Sequence, residues 1–216
     1  GGREPRPVRT GGARARIGGW RYILEHPALR PLFVNTILVN ALILATAPML
    51  AVLMLGRLGF APWQYGLAFG LPCLGGLIGS RLAGRVVARF GERRTLLVSG
   101  TLRACWSLGL AFVGPGTGGL LLVITVQFGL VLCMGVFNPV FATYRLTRTA
   151  PDRVARTLSA WSVTSNATVA ALTALWGLLA AATSPRTAIA TAGLLLLATP
   201  LLLPKIKEKT IPAYGH

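Results

Sequence analysis
Acidic side chains are nearly missing from this chain: five Asp and Glu stand against 22 Lys and Arg in 216 residues. None of the five, Glu4, Glu25, Glu92, Asp152 and Glu208, lies within a long apolar run. Charged residues of both signs make up only 12%, about half the share in a soluble domain. That leaves too little polar surface for a globule in water. The two histidines, His26 and His216, are peripheral, which removes the commonest base and metal ligand. Cys73, Cys105 and Cys133 are odd in number and lie in apolar runs without metal or redox spacing, so a disulfide framework is excluded. GPGTGG at 114–119 lacks the lysine of a phosphate loop. There is no nucleophile–base pair and no cofactor fingerprint. The chain is therefore read as no enzyme, with no cofactor and no metal site.

Apolar residues are what the chain has, at 53%. A spanning helix needs about 20 of them in a row. Six runs qualify: Leu32 to Leu55, Trp63 to Ala83, Thr95 to Val113, Leu120 to Ala142, Thr157 to Ala182 and Thr187 to Leu203. The expected fold is an all-α membrane protein with six transmembrane helices. Three connections are short and marked by Gly and Pro: GRLGFAP, GPGTGG and TSPR. The others are rich in arginine. The net charge of +17 is gathered in these clusters rather than along one surface, which argues against a nucleic-acid partner. With both ends cytoplasmic, nineteen of the 22 cations fall on the cytoplasmic side, as the positive-inside rule requires. Arg57 and Arg186 lie outside, and Arg103 lies within the third span. The expected organisation is a basic linker with amphipathic lead-in over 1–30, a half-bundle over 31–204 and a cytoplasmic tail over 205–216. Residues 1–19 hold no apolar core of the kind a signal peptide has. The chain opens on Gly1 rather than Met, so a longer protein is expected.

The stretch GRVVARFGERR at 84–94 joins the second and third runs. Gly84, then three residues, then Ala88-Arg89-Phe90-Gly91-Glu92-Arg93-Arg94 resembles the signature loop of the major facilitator superfamily. Gly84, Arg89, Phe90, Gly91, Arg93 and Arg94 match that pattern, while Ala88 stands where the family has an acid and Glu92 where it has an arginine. The departures resemble the degenerate copy between the eighth and ninth helices. GGWRYILEHPALRPLF, at residues 18–33, and FNPVFATYRLTRTAPDRVARTLSAW, at 137–161, resemble the drug- and siderophore-exporter branch. The resemblance implies the C-terminal half of a twelve-helix secondary transporter in the plasma (inner) membrane. Its implied partners are an N-terminal six-helix half (or a second copy), membrane lipids and a small organic substrate. It also implies proton-linked efflux, as in multidrug-resistance antiporters. A sugar or metabolite importer of the same superfamily is the alternative, and a non-transporting membrane scaffold or binding protein is the reading from a different class.

Polar residues inside the runs are candidate cavity residues or interhelical bonds. Asn35 and Asn40 lie in the first run, Arg103 in the third, Gln127 and Asn138 in the fourth, and Ser162 and Asn166 in the fifth. The resemblance implies cavity walls from the first, fourth and fifth helices of the half. Arg103 sits about 12 Å into its run. It can reach a loop acid or the headgroups, the other half, or an anionic substrate. Asn138-Pro139 is expected to break the fourth helix. Gly66, Gly70, Gly75, Gly76 and Gly79 form a ladder that lets helices approach or slide. Phe60, Trp63 and Tyr65 fit one interfacial aromatic belt, and Tyr144 and Trp20 the other.

Overall fold
In hydrocarbon each backbone N–H and C=O must be satisfied within its own segment, so long apolar runs become helices. The computed structural model describes residues 20–21, 23–25, 29–147, 149 and 153–199, and every regular element among them is helical. α1 covers Leu29–Ala51 and continues as a π-turn over Val52–Arg57. α2 (Pro62–Gly70) and α3 (Pro72–Phe90) form one segment interrupted at Leu71. α4 runs over Glu92–Leu108 and tightens to a 3₁₀ turn over Gly109–Phe112. α5 covers Gly116–Thr147, α6 Val154–Ala182 and α7 Pro185–Ala198.

Five of these segments are long and apolar enough to cross a membrane: Arg30–Arg57, Pro62–Phe90, Glu92–Phe112, Gly116–Thr147 and Val154–Ala182. The sixth expected span differs. α7 is apolar but has 14 residues, about 21 Å at 1.5 Å per residue against a core of about 30 Å. The expected end at Leu203 lies outside the described residues, as do most of 1–30 and all of 205–216. The fourth run also departs from expectation. α5 continues unbroken through Pro139 to Thr147. A proline ring crowds the carbonyl four residues back, and that residue is Gly135, which carries no side chain.

α3 and α4 lie along α5, α4 also meets α7, and α1 packs on α6 and α7. The buried apolar residues fall into two groups. One joins Leu32, Phe33, Phe137, Phe141, Tyr144 and Trp161 near the α3–α4 and α5–α6 connections. The other joins Leu50, Met54, Phe60, Val123, Trp176 and Ile189 near the opposite connections. This is what an up-and-down bundle of spans gives. In the first group Trp161 meets Phe33 edge-on at 4.7 Å between ring centroids and Phe141 at 5.3 Å. Trp20 and Tyr144, expected as belt residues, are part of this packing. The Trp20 indole donates to the Ala160 carbonyl (3.2 Å) and to Thr164 Oγ1 (2.9 Å), and Tyr144 is buried. Ile23 beside it is fully buried, so the lead-in docks on the bundle. At the other end the Trp176 indole donates to the Ala188 carbonyl (2.8 Å) and ties the α6–α7 turn.

The glycine ladder divides. Gly66 and Gly70 face open space. Gly75, Gly76 and Gly79 press on α5: a Cβ on Gly75 would stand 2.9 Å from the Phe128 carbonyl oxygen, and one on Gly79 would strike the Leu132 carbonyl. A Cβ on Gly135, from the α5 side, would stand 2.5 Å from the Gly76 carbonyl oxygen. Lipid gives no hydrophobic drive for helices to associate, so such contact surfaces supply the packing attraction instead.

Candidate functional site
Two regions carry the residues singled out in the sequence: the α3–α4 hairpin and the polar positions of the spans. At the hairpin, Gly91 has φ 81° and ψ 155°, a conformation that glycine alone adopts freely. Its N–H donates to the Val87 carbonyl (2.8 Å), and its own carbonyl accepts from Thr95 N–H (3.1 Å) and Thr95 Oγ1 (2.8 Å). Helix therefore stops and restarts across one residue. Glu92 opens α4, where a carboxylate complements the positive end of the helix dipole. Arg89, Phe90, Arg93 and Arg94 are exposed, and the Arg89 guanidinium lies 5.6 Å from the Phe90 ring. Gly84 is exposed with nothing near it. None of the hairpin arginines pairs with Glu92; among the described residues the ion pair is Arg21–Glu25 at 2.7 Å, exposed on both sides. That hydrogen bond holds the Arg21 guanidinium above its ordinary range.

The span residues separate into three environments. Asn35 is buried and its Nδ2 donates to the Thr199 carbonyl (2.8 Å), so it joins α1 to the end of α7 rather than facing a cavity. Asn40 is half-buried, and its Nδ2 lies 3.5 Å from Ser165 Oγ on α6. Ser162 and Asn166, one turn apart on α6, are exposed, as is Asn138 on α5; Gln127 is half-buried. The structure thus joins Asn40 to the α6 polar stripe, while no side-chain bond links Gln127 or Asn138 to it.

Arg103 is the third environment. Thr95, Ser99, Arg103 and Ser107 share one face of α4, as their spacing of four implies, and that face is buried. The Arg103 guanidinium lies 3.8 Å from the Phe137 ring centroid, and its Nε and Nη2 are buried without a hydrogen-bond partner. The serines do not serve it, because Ser99 Oγ donates to the Thr95 carbonyl (2.5 Å) and Ser107 Oγ to the Arg103 carbonyl (3.2 Å). Of the described acids, Glu92 does not pair with it. The side chain stays among α4 and α5, held by the π face. Arg145 is a related case that the sequence reading counted only among the cytoplasmic topology charges. Its guanidinium lies 4.9 Å from the Trp161 ring and 5.7 Å from that of Phe141, and its Nε is buried without a partner. The only sign of it was an arginine two residues before the end of the helix, close to aromatic residues. Arg186, counted as an outer topology charge, donates to the Val113 carbonyl and caps the end of the third segment. No cluster of three metal-binding side chains occurs among the described residues.

A long apolar helical bundle, a glycine-turned basic hairpin and polar positions facing outward from α5 and α6 are the parts of a membrane carrier. The family model described as Major Facilitator Superfamily matches residues 2–144 and, in a second overlapping match, 32–213. No curated protein and no solved structure matches the chain. The chain belongs to the Major Facilitator Superfamily. It is a multi-pass membrane protein of a transporter family.

Proposed function
We propose that the chain is the C-terminal six-helix half of a twelve-helix secondary transporter that exports small amphipathic organic molecules by alternating access. The observation that carries this reading is the state of α6. Only Thr157, Ala160, Trp161 and Trp176 of its 29 residues are buried, while Ser162 and Asn166 stand exposed. A spanning helix that leaves a polar stripe uncovered is suited to line a watery path or to meet a second bundle. The exporter branch, rather than an importer, rests on the stretches at 18–33 and 137–161. A plasma-membrane site with both ends cytoplasmic rests on the distribution of cations.

The hairpin acts as a cytoplasmic latch in this scheme. Its arginines form ion pairs with the other half in one state and release them in the next. Proton coupling needs a group that titrates within the membrane. No acid lies in an apolar run of this chain, and guanidinium stays charged at any accessible pH. The coupling carboxylate is therefore assigned to the N-terminal half. The test is proton-driven efflux from vesicles holding the chain with its upstream half. Replacing all five acids of residues 1–216 by amides should leave proton exchange measurable. Loss of exchange in a folded, inserted amide variant would assign the proton to a loop acid. Orientation has its own measurement: cysteines introduced at Gly91 and Thr149 should react from the cytoplasmic side, and one at Gly116 from the other. Reaction of Gly91 and Gly116 variants from one side would overturn the topology.

A further inference from the structure
A half-open groove of about 340 Å³ runs between α3, α4 and α5, separate from the polar face of α6. Its walls are almost entirely carbon, with Phe90, Val98, Leu102, Leu132 and Val136 among the lining residues. Arg94, Val98 and Leu102 follow each other at four-residue steps on α4, so they form one stripe about 12 Å long. Arg94 is the single charged residue in the lining: its carbon stem borders the groove at the hairpin end, with the exposed guanidinium beyond the apolar walls. Phe90 forms the lip there, with the Arg89 guanidinium against its ring. Among the described residues, none of Arg81, Arg85, Arg89, Arg93 and Arg94 is in an ion pair.

We propose that this groove holds one acyl chain of an anionic phospholipid, with the lipid phosphate on Arg94. The occupant must be apolar along the groove and anionic at one end, which is the outline of such a lipid. The unpaired cations of the hairpin select against a zwitterionic headgroup. Guanidinium offers a forked set of donors that matches phosphate oxygens. A bound lipid would tie the hairpin to the bilayer surface.

The experiment uses the protein in vesicles of phosphatidylcholine containing a few percent of phosphatidylglycerol or phosphatidylcholine that carries a photoreactive group in its acyl chain. Crosslinked residues are mapped by mass spectrometry. The anionic probe should label Val98, Leu102 or Val136 at least about fivefold more than the zwitterionic one, the ~1 kcal/mol that one basic residue contributes at an anionic surface. Arg94→Gln should remove that preference, Arg94→Lys should restore most of it, and Arg81→Gln should leave it unchanged. Val98→Trp, which fills the groove without touching the charge, should lower labelling by both probes. Equal labelling by the two headgroups would overturn the proposal. So would equal losses in Arg94→Gln and Arg81→Gln, which would mean diffuse attraction alone. Crosslinks from groove residues to protein would show that a polypeptide fills the groove, and the proposal would fail.

Discussion

Two of the helices, α3 and α6, meet their surroundings in opposite ways. α3 lies on α5 backbone to backbone, through Gly75, Gly76 and Gly79 on one side and Gly135 on the other. α6 meets α1 through Trp161 on Phe33 and Ser165 near Asn40, and leaves most of its surface uncovered. The first contact has no slack, because a single methyl group would strike a carbonyl. The second is a surface with polar side chains and large apolar ones such as Leu175 and Leu178 still open. The difference teaches where close helix packing ends and an uncovered face begins. Helices that must move as one body pack on glycine; helices that face a partner or a path keep their side chains free.

The sharpest way to break this contrast is to add bulk at the seam. Gly79→Leu should cost about 3 kcal/mol or more, since overpacking against backbone finds no rotamer to yield. The matching change on the open helix, Gly177→Leu, meets nothing within 4 Å and should stay within about 0.5 kcal/mol. Thermal unfolding of both variants in detergent tests the pair; equal losses would erase the distinction between seam and open face.

Arg103 sharpens it next. This buried cation sits beside the seam with two donors unpartnered. Arg103→Leu should raise stability by roughly 1–4 kcal/mol, the range seen when buried charges give way to packed apolar groups. If that gain comes with lost transport, the residue is held for function against its cost. A gain with transport intact would make Arg103 dispensable.

A smaller effect is expected on the open face. Asn166→Leu should leave the unfolding temperature nearly unchanged and alter substrate affinity by about tenfold, the scale of one lost hydrogen bond to a buried ligand. Unchanged transport of several substrates would take Asn166 out of the path. The least effect on stability belongs to the hairpin. Arg89→Ala and Arg93→Ala should insert and fold normally, being exposed, and lower the transport rate by a few-fold while binding is kept. Full rates in both would leave these arginines a role in topology alone.

Several of these features were legible in the sequence. The turn at Gly91 was readable because a one-residue reversal between two helices demands a positive φ. The depth of Arg103 and its alignment with Ser99 and Ser107 followed from helical spacing. The serine hydroxyls turning back on their own helix did not, since that choice depends on what stands opposite. Asn35 illustrates the limit best. Its type and its place in the span suited a cavity as well as a helix contact, and only the approach of Thr199, 164 residues away, selects the second. The ladder glycines were all candidates for close approach, yet Gly66 and Gly70 meet nothing, because no neighbouring element packs on that side of α2. Arg145 was counted only as a topology charge, since its aromatic partner Trp161 lies on another helix.

By itself the sequence determined five of the six expected spans and the connections in which charge gathers. Each of these depends on hydropathy over a window of about 20 residues, and water and lipid act on such a window whatever the rest of the chain does. The tertiary structure decided which face of each helix is inside. Rotation about a helix axis costs nothing in uniform hydrocarbon, so it is set only by what packs alongside: glycine against carbonyl, Trp161 against Phe33, guanidinium against the Phe137 ring.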